Sequence, residues 1–206
     1  MATGITSLNN MSVKTDGNAG MLMPKLQFRF RVSLLNFGNG GTNVTNLTRQ
    51  VIDCSRPNVS FAEIPIQVYN STIKIAGKHT WTDMTLNIRD DASNQVQQLV
   101  ASQLQKQLDF YEQASAASAQ DYKFETTVEI LDGGNGNFTP TAIETWQLYG
   151  CFLKTANYNT LNYGTNEAVT ISLTITYDNA VQLPSPNPSP VFSGNYTGTA
   201  VGAGTN

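Results

Sequence analysis

Residues Ser71 to Asp91 read STIKIAGKHTWTDMTLNIRDD, and two readings of them compete. Taken for chemistry, the stretch holds the chain's one histidine, His79, with Lys78, Asp83 and Ser71 close in sequence and the carboxylates Asp90 and Asp91 at its end. Taken for period, it alternates: Thr82, Met84, Leu86 and Ile88 stand against Trp81, Asp83, Thr85 and Asn87. Alternation of that kind makes a half-buried strand. Ile64–Ile75 and Thr80–Arg89 are then two β segments, with Ala76-Gly77-Lys78 a bend where glycine tolerates positive φ. Asp90 and Asp91 precede a change of period, which favours a helix cap over a carboxylate pair or calcium site. His79 is read as a contact residue rather than a base.

Beyond Asp91 the spacing becomes helical. Val96, Leu99, Val100, Leu104, Leu108 and Tyr111 recur every three or four residues, with Gln95, Gln97, Gln98, Gln103 and Lys106 between them. One amphipathic helix is predicted at about 93–111, and residues 114–120 trail off as its end or a loop. On either side of this centre the chain reads as strand. Leu26, Phe28, Phe30, Val32 and Leu34 share one face of a strand over Lys25–Asn36, and a short strand runs from Gln50 to Cys54 before Pro57 interrupts. Tyr122–Ile130 alternates, with Lys123, Glu125, Thr127 and Glu129 on its polar side. Thr145–Lys154 places Trp146, Leu148 and Phe152 on one face. Val169–Tyr177 carries an unbroken polar row of Thr170, Ser172, Thr174 and Thr176. The glycine-rich runs FGNGGTN and DGGNGN lack a phosphate loop's lysine and read as turns. The expected fold is mainly β with one packed α-helix: six to eight antiparallel strands in a sandwich or barrel. Residues 1–23 read as an arm, 24–181 as the β-domain and 182–206 as a Pro/Gly/Ser/Thr-rich tail.

Composition narrows the function. Only 13% of the 206 residues are charged, about half the usual share, so Asn, Thr, Ser and Gln keep the surface wet. Such a surface suits packing against other protein. Twelve basic residues against fifteen acidic ones leave a net charge of −3 and no basic run, which argues against tight nucleic-acid binding. The first residues lack a signal peptide's basic and apolar regions, and no apolar run is long enough for a membrane span; no membrane anchor is expected. Cys54 and Cys151 are expected to be free thiols. One histidine rules out a multi-histidine metal site; no catalytic residue, metal or cofactor is expected. Trp81 and Trp146 fit strand alternation better than a carbohydrate platform, which stands as the rival reading of a different class.

The order of elements adds a resemblance. KLQFRFRV, IDCSRPNVSF, IPIQVYNSTIKIAGKHTWTDMTLNIRDD, a helix, WQLYGCFL and VTISLTITYDN follow one another. This resembles the tail tube proteins of contractile-tailed bacteriophages, a family related to the hemolysin-coregulated type of secretion tube. The residues carrying the resemblance are Ile73, Ile75, Ala76, Gly77, Thr80, Trp81, Asp83, Met84, Thr85, Leu86, Ile88 and Asp91, then Gly150-Cys151-Phe152-Leu153. It implies a structural, non-enzymatic subunit whose strands join those of its neighbours into a ring-shaped β-barrel. Hexameric rings would stack into a hollow tube. The partners implied are other copies of the chain, a sheath protein, a tape-measure protein, and baseplate and tail terminator proteins. DNA would pass through the lumen without sequence-specific contact, a passage that the net negative charge suits. The place implied is a virion tail assembled in the bacterial cytoplasm. On this reading Tyr69, Asn70, Ser71, Ile73, Ile75, Lys78 and His79 are candidate contacts between rings. Glu125, Thr127, Glu129, Thr170, Ser172 and Thr174 are candidates for the lumen face. A baseplate tube initiator or a secretion tube shares the architecture and is the nearest alternative.

Overall fold

A computed structural model describes residues 24–39, 45–132 and 140–184. The arm expected at 1–23, most of the tail expected at 182–206, and most of both glycine-rich turns lie outside the described residues. The strands are β1 (Phe30–Leu35), β2 (Val51–Cys54), β3 (Asn58–Val68), β4 (Ser71–Thr82), β5 (Met84–Arg89), β6 (Leu108–Asp109), β7 (Ala114–Ser115), β8 (Phe124–Leu131), β9 (Ala142–Asn157), β10 (Thr170–Thr176) and β11 (Asn179–Pro184). The helices are α1 (Thr45–Gln50), α2 (Gln95–Gln107) and α3 (Ala119–Tyr122). The fold is mainly β with few helices, and all strand pairs are antiparallel.

Strand β9 organises the body. Its first half lies between β8 and β11, and its second half pairs with β10, which continues to β5 and β2. The change of partners falls at Gly150, whose φ is +68°. A strand that passes from one sheet to another needs such a corner. The corner also corrects an expectation. Phe152 does not share the face of Leu148; beyond Gly150 the buried positions are Cys151 and Leu153. Val32, Leu34, Phe124, Val128 and Leu148 on one side meet Met84, Leu86, Ile88, Ile171, Leu173 and Ile175 on the other in a single core. Phe37 stands edge-on to Phe124, with ring centroids 5.0 Å apart.

Helix α2 closes one side of this core through Val96 and Val100. It is shorter than expected, ending at Gln107, and Tyr111 lies exposed outside it. Two glutamines that read as surface residues hold it to the sheets. Gln103 is fully buried; its Oε1 accepts from the Gly38 amide at 2.9 Å and its Nε2 donates to the Tyr122 carbonyl at 2.6 Å. Gln107 exchanges two 2.9 Å bonds with the backbone of Leu153, as a neighbouring strand would. Polar groups buried with full partners cost little, and they fix register.

Other boundaries moved too. The first strand begins at Phe30, and Phe28 lies exposed in the turn before it. Helix α1 occupies residues ahead of β2, and β7 and α3 stand where a trailing loop was expected. Strand β11 runs to Pro184, paired with β9, so residues 182–184 belong to the sheet. Asn94 stands at the N-cap of α2 with no side-chain bond, and Asp91 supplies one instead: its Oδ1 accepts from the Val96 amide at 2.9 Å. Hydrogen bonds from Ser93 and from that amide hold the Asp91 carboxyl below its usual range. Asp91→Ala should therefore lower the melting temperature by roughly 2–4 °C at neutral pH. A carboxyl with a depressed folded pKa stabilises above its unfolded pKa and loses that effect as pH falls through the folded value. The difference between variant and parent should accordingly vanish in acid, measured by calorimetry across pH.

Candidate functional site

Strands β3 and β4 form a separate two-stranded ribbon, exposed along nearly its whole length. It is one long hairpin turning at Tyr69-Asn70, not two segments meeting at residues 76–78. The seven candidate contacts from Tyr69 to His79 all lie on β4 or its turn, and all are exposed. Pro65 sits in mid-strand, which a ribbon with open edges permits.

The register explains Gly77. Phe61 faces His79 but Glu63 faces Ala76, so β4 carries one extra residue, a bulge at Gly77-Lys78. Gly77 does not have positive φ; it supplies space. A Cβ there would stand 3.0 Å from the Ala62 carbonyl oxygen and 3.2 Å from Ile64 Cγ1. Side chains alternate along β3, so the ribbon presents apolar groups on both faces at different heights. Near the root, Val59 faces Trp81 and Phe61 faces His79; beyond the bulge and on the opposite face, Ile64 faces Ile75 and Ile66 faces Ile73. The β3 residues were not among the candidates, although their alternation was the available signal.

Aromatic rings tie the root to the core. Tyr177 lies 5.7 Å from Trp81, Trp81 lies 6.1 Å from His79, and His79 lies 6.2 Å from Phe61. Asp83 fixes the joint between β4 and β5, accepting from Lys154 at 2.6 Å and Thr176 at 2.8 Å. These bonds hold its carboxyl below the usual range. His79 thus stands between two aromatic rings in an exposed ribbon, a setting for contact. Trp81 packs against the core, and Trp146 is half-buried with its Nε1 donating to Glu144 at 2.7 Å. They form no exposed aromatic platform.

Tyr69 is the most exposed of the hairpin's large apolar and aromatic side chains, at 99%, and has φ +45°. A bulky residue in the left-handed region costs on the order of 1 kcal/mol, whereas Asn is at ease there. Tyr69→Asn should slow amide exchange across β3 and β4 in the isolated subunit, and reduce any association that the tyrosine supports.

The six polar sheet-face candidates fall into two groups. Glu125, Thr127 and Glu129 lie on β8, beside Leu35, Ser33 and Arg31 of β1; Thr170, Ser172 and Thr174 lie on β10, beside Arg89, Asn87 and Thr85 of β5. The two groups lie on the two parts of the sheet that β9 joins, one on each side of its corner.

Near the start of β9, Glu144 is buried and bound by Lys25, Arg56 and Trp146. Burial pushes its carboxyl up, but the bonds from Lys25 and Trp146 and the charges of Arg56 and Lys25 outweigh that and hold it low. This cluster ties the segment before β1 and the approach to the hairpin onto β9. Cys54 and Cys151 are free, and burial pushes both thiols up to about 11. Among the described residues no group of three or more His, Cys, Asp or Glu could hold a metal ion, and no helix is long and apolar enough to cross a membrane.

No family model and no curated protein matches the sequence. Solved structures do match in fold. The anti-feeding prophage cap, a tube-terminating cap, aligns with TM-score 0.59 at 12% identity over 82% of this chain and 97% of that one. A chain of the six-fold symmetrised anti-feeding prophage baseplate aligns with TM-score 0.58 at 14% identity over 81% and 100%. A chain of the extended PVC sheath–tube complex, an extracellular contractile injection system, aligns with TM-score 0.55 at 14% identity over 78% and 92%. At these identities the likeness is one of fold.

Proposed function

We propose that this chain is the repeating subunit of the tube of a contractile phage tail or a related injection machine. The observation that carries the reading is the hairpin of β3 and β4. It projects from a body that shares its fold with chains of contractile injection assemblies, and it exposes Phe61, Ile64, Ile66, Ile73 and Ile75 to solvent. An isolated subunit has no use for such a ribbon, and large exposed apolar patches mark interaction sites. Six copies form a ring. Strands β1, β2 and β11 each pair on one side only among the described residues, so ring closure gives open edges the partners they lack.

The hairpin, through Tyr69 to His79, grips the next ring. One of the two outward polar sheet faces lines the lumen, which holds a tape-measure protein during assembly and then passes DNA. The low charge and net −3 keep DNA from binding by counterion release. A sheath surrounds the tube, and baseplate and terminator proteins close its ends. The subunit acts by assembly and not by catalysis.

Negative-stain microscopy of the purified chain is the test. Hollow tubes or stacked six-fold rings are expected. Single rings alone would assign the chain to a tube end, and a strict monomer by light scattering at all concentrations would overturn the reading.

A further inference from the structure

The two ends of the β5–β10 sheet are unlike, and each is incomplete. Met84 pairs with Ile175 at one end, where the hairpin departs; Arg89 pairs with Thr170 at the other, where β9 connects to β10 through residues 158–169. That loop presents Leu161 at 81% exposure and a fully exposed Tyr163, with Tyr158 and Val169 partly open. It borders an open hollow of about 660 Å³ that includes Asn159, Leu161, Tyr163 and Glu167 in its wall. The loop is held in shape: the Asn159 side chain donates to the Thr170 carbonyl at 2.9 Å, and the Val169 carbonyl accepts from the Asp90 amide at 2.9 Å. Apolar side chains held open to water on an ordered loop are a surface awaiting a partner.

We infer that the partner is the β3–β4 hairpin of a second copy, so that each subunit's 158–169 loop receives the ribbon of its neighbour along the tube. This rests on the tube reading and names the receiving surface. Three observations support a second copy as the occupant. The ribbon and the loop stand at opposite ends of one sheet, which is the arrangement a repeating head-to-tail contact requires. Both surfaces hold large side chains open to water, Ile64, Ile66, Ile73 and Ile75 on one and Leu161 and Tyr163, set in a wall of Asn and Thr, on the other. Their net charges are opposite: the ribbon carries Lys78 beside an ion-paired Lys74 and Glu63, whereas the receiving end carries Glu167, Asp90 and Asp91 against Arg89 and Arg49. Lys78 and Glu167 form no ion pair among the described residues. Opposed unpaired charge at the two ends sets the register of docking more than its strength.

Cysteine cross-linking tests this on the full chain. In a Cys54→Ser background, Ile73→Cys and Leu161→Cys are introduced together and the assembled protein is treated with a short bis-maleimide. Both positions are exposed, so folding is unaffected. The length of β5 alone puts roughly 20 Å between the hairpin root and the loop, too far for a short link within one subunit. A head-to-tail contact predicts a denaturing-gel ladder of dimers, trimers and higher multimers, absent from either single-cysteine variant. Tubes in the microscope without a ladder would overturn the assignment of the loop and leave the tube reading standing. No tubes from the unmodified chain would remove the tube reading and this inference with it.

Discussion

Gly150→Val is expected to lower the melting temperature of the isolated subunit by about 10 °C. Two costs combine. The first is conformational: φ is +68°, and a β-carbon in the left-handed region costs about 1–2 kcal/mol, more when branched. The second is steric: an added Cβ would lie 2.7 Å from the Asp178 Cγ and closer still to its carboxylate oxygen. The exposed Asp178 carboxylate can turn aside only by giving up its ion pair, and its Cβ, 3.2 Å from the added carbon, stays where it is. The Asp178 side chain pairs with Lys123 and its amide donates to the Tyr149 carbonyl at 3.0 Å. Overpacking of that kind adds roughly 1–3 kcal/mol, and in a domain of this size each kcal/mol moves the midpoint by about 2–4 °C. The costs are separable by a double-mutant cycle. Asp178→Ala should recover most of the steric part in the Gly150→Val background and leave the conformational part in place. A full rescue would show that the backbone at residue 150 is not constrained, and no destabilisation at all would mean that β9 does not turn its corner there.

That corner also shows where sequence reading stops. Alternation finds strands because each side chain's face follows from its neighbour's. Val169–Tyr177 was legible for this reason, and Phe124, Thr126 and Val128 of β8 are buried in the order that their spacing announces. Alternation cannot see an inserted residue or a left-handed one. Gly150 moved Phe152 off the expected face, and the bulge at Gly77-Lys78 split one strand into two apparent segments. In both places glycine was visible in the sequence, but its job, a corner in one and room for Ile64 in the other, depends on residues distant along the chain. The end of α2 was overrun because Leu108 continues the apolar period while already in extended backbone. Gln103 and Gln107 read as solvated because their partners, Gly38, Tyr122 and Leu153, come together only in the fold. The hairpin was half legible: β4 stood out, but β3 was cut at Ile64, because Val59 and Phe61 fall out of phase with Ile64 and Ile66. Leu161 and Tyr163 lie in a loop without period, so only their exposure in the folded chain draws attention to them.

Ile75→Asp is the assembly counterpart, expected to abolish tubes while leaving the subunit folded. Ile75 is half exposed and faces Ile64 across the ribbon, beyond the bulge and away from the core, so its replacement should change subunit stability by about 0.5 kcal/mol or less. In the assembled state the same carboxylate would be taken out of water against Leu161 and Tyr163, in a wall whose own charge is Glu167, and the cost of burying an unpaired charge is several kcal/mol. The penalty recurs at every subunit of a ring, so even about 1.4 kcal/mol per contact, a tenfold loss each, compounds over six copies into an effect that concentration cannot overcome. Sedimentation and microscopy should find rings or monomers but no stacks, with an unchanged melting transition. Gln67→Ala is the control. It lies on the opposite face, where its amide oxygen accepts only from Thr72 at 2.9 Å, and its loss should leave tube length unchanged. If Ile75→Asp forms normal tubes, the isoleucine face of the hairpin is not the contact between rings. If Gln67→Ala fails to stack as well, the ribbon is gripped on both faces, and the root cluster of Phe61, His79 and Trp81 becomes part of the same interface.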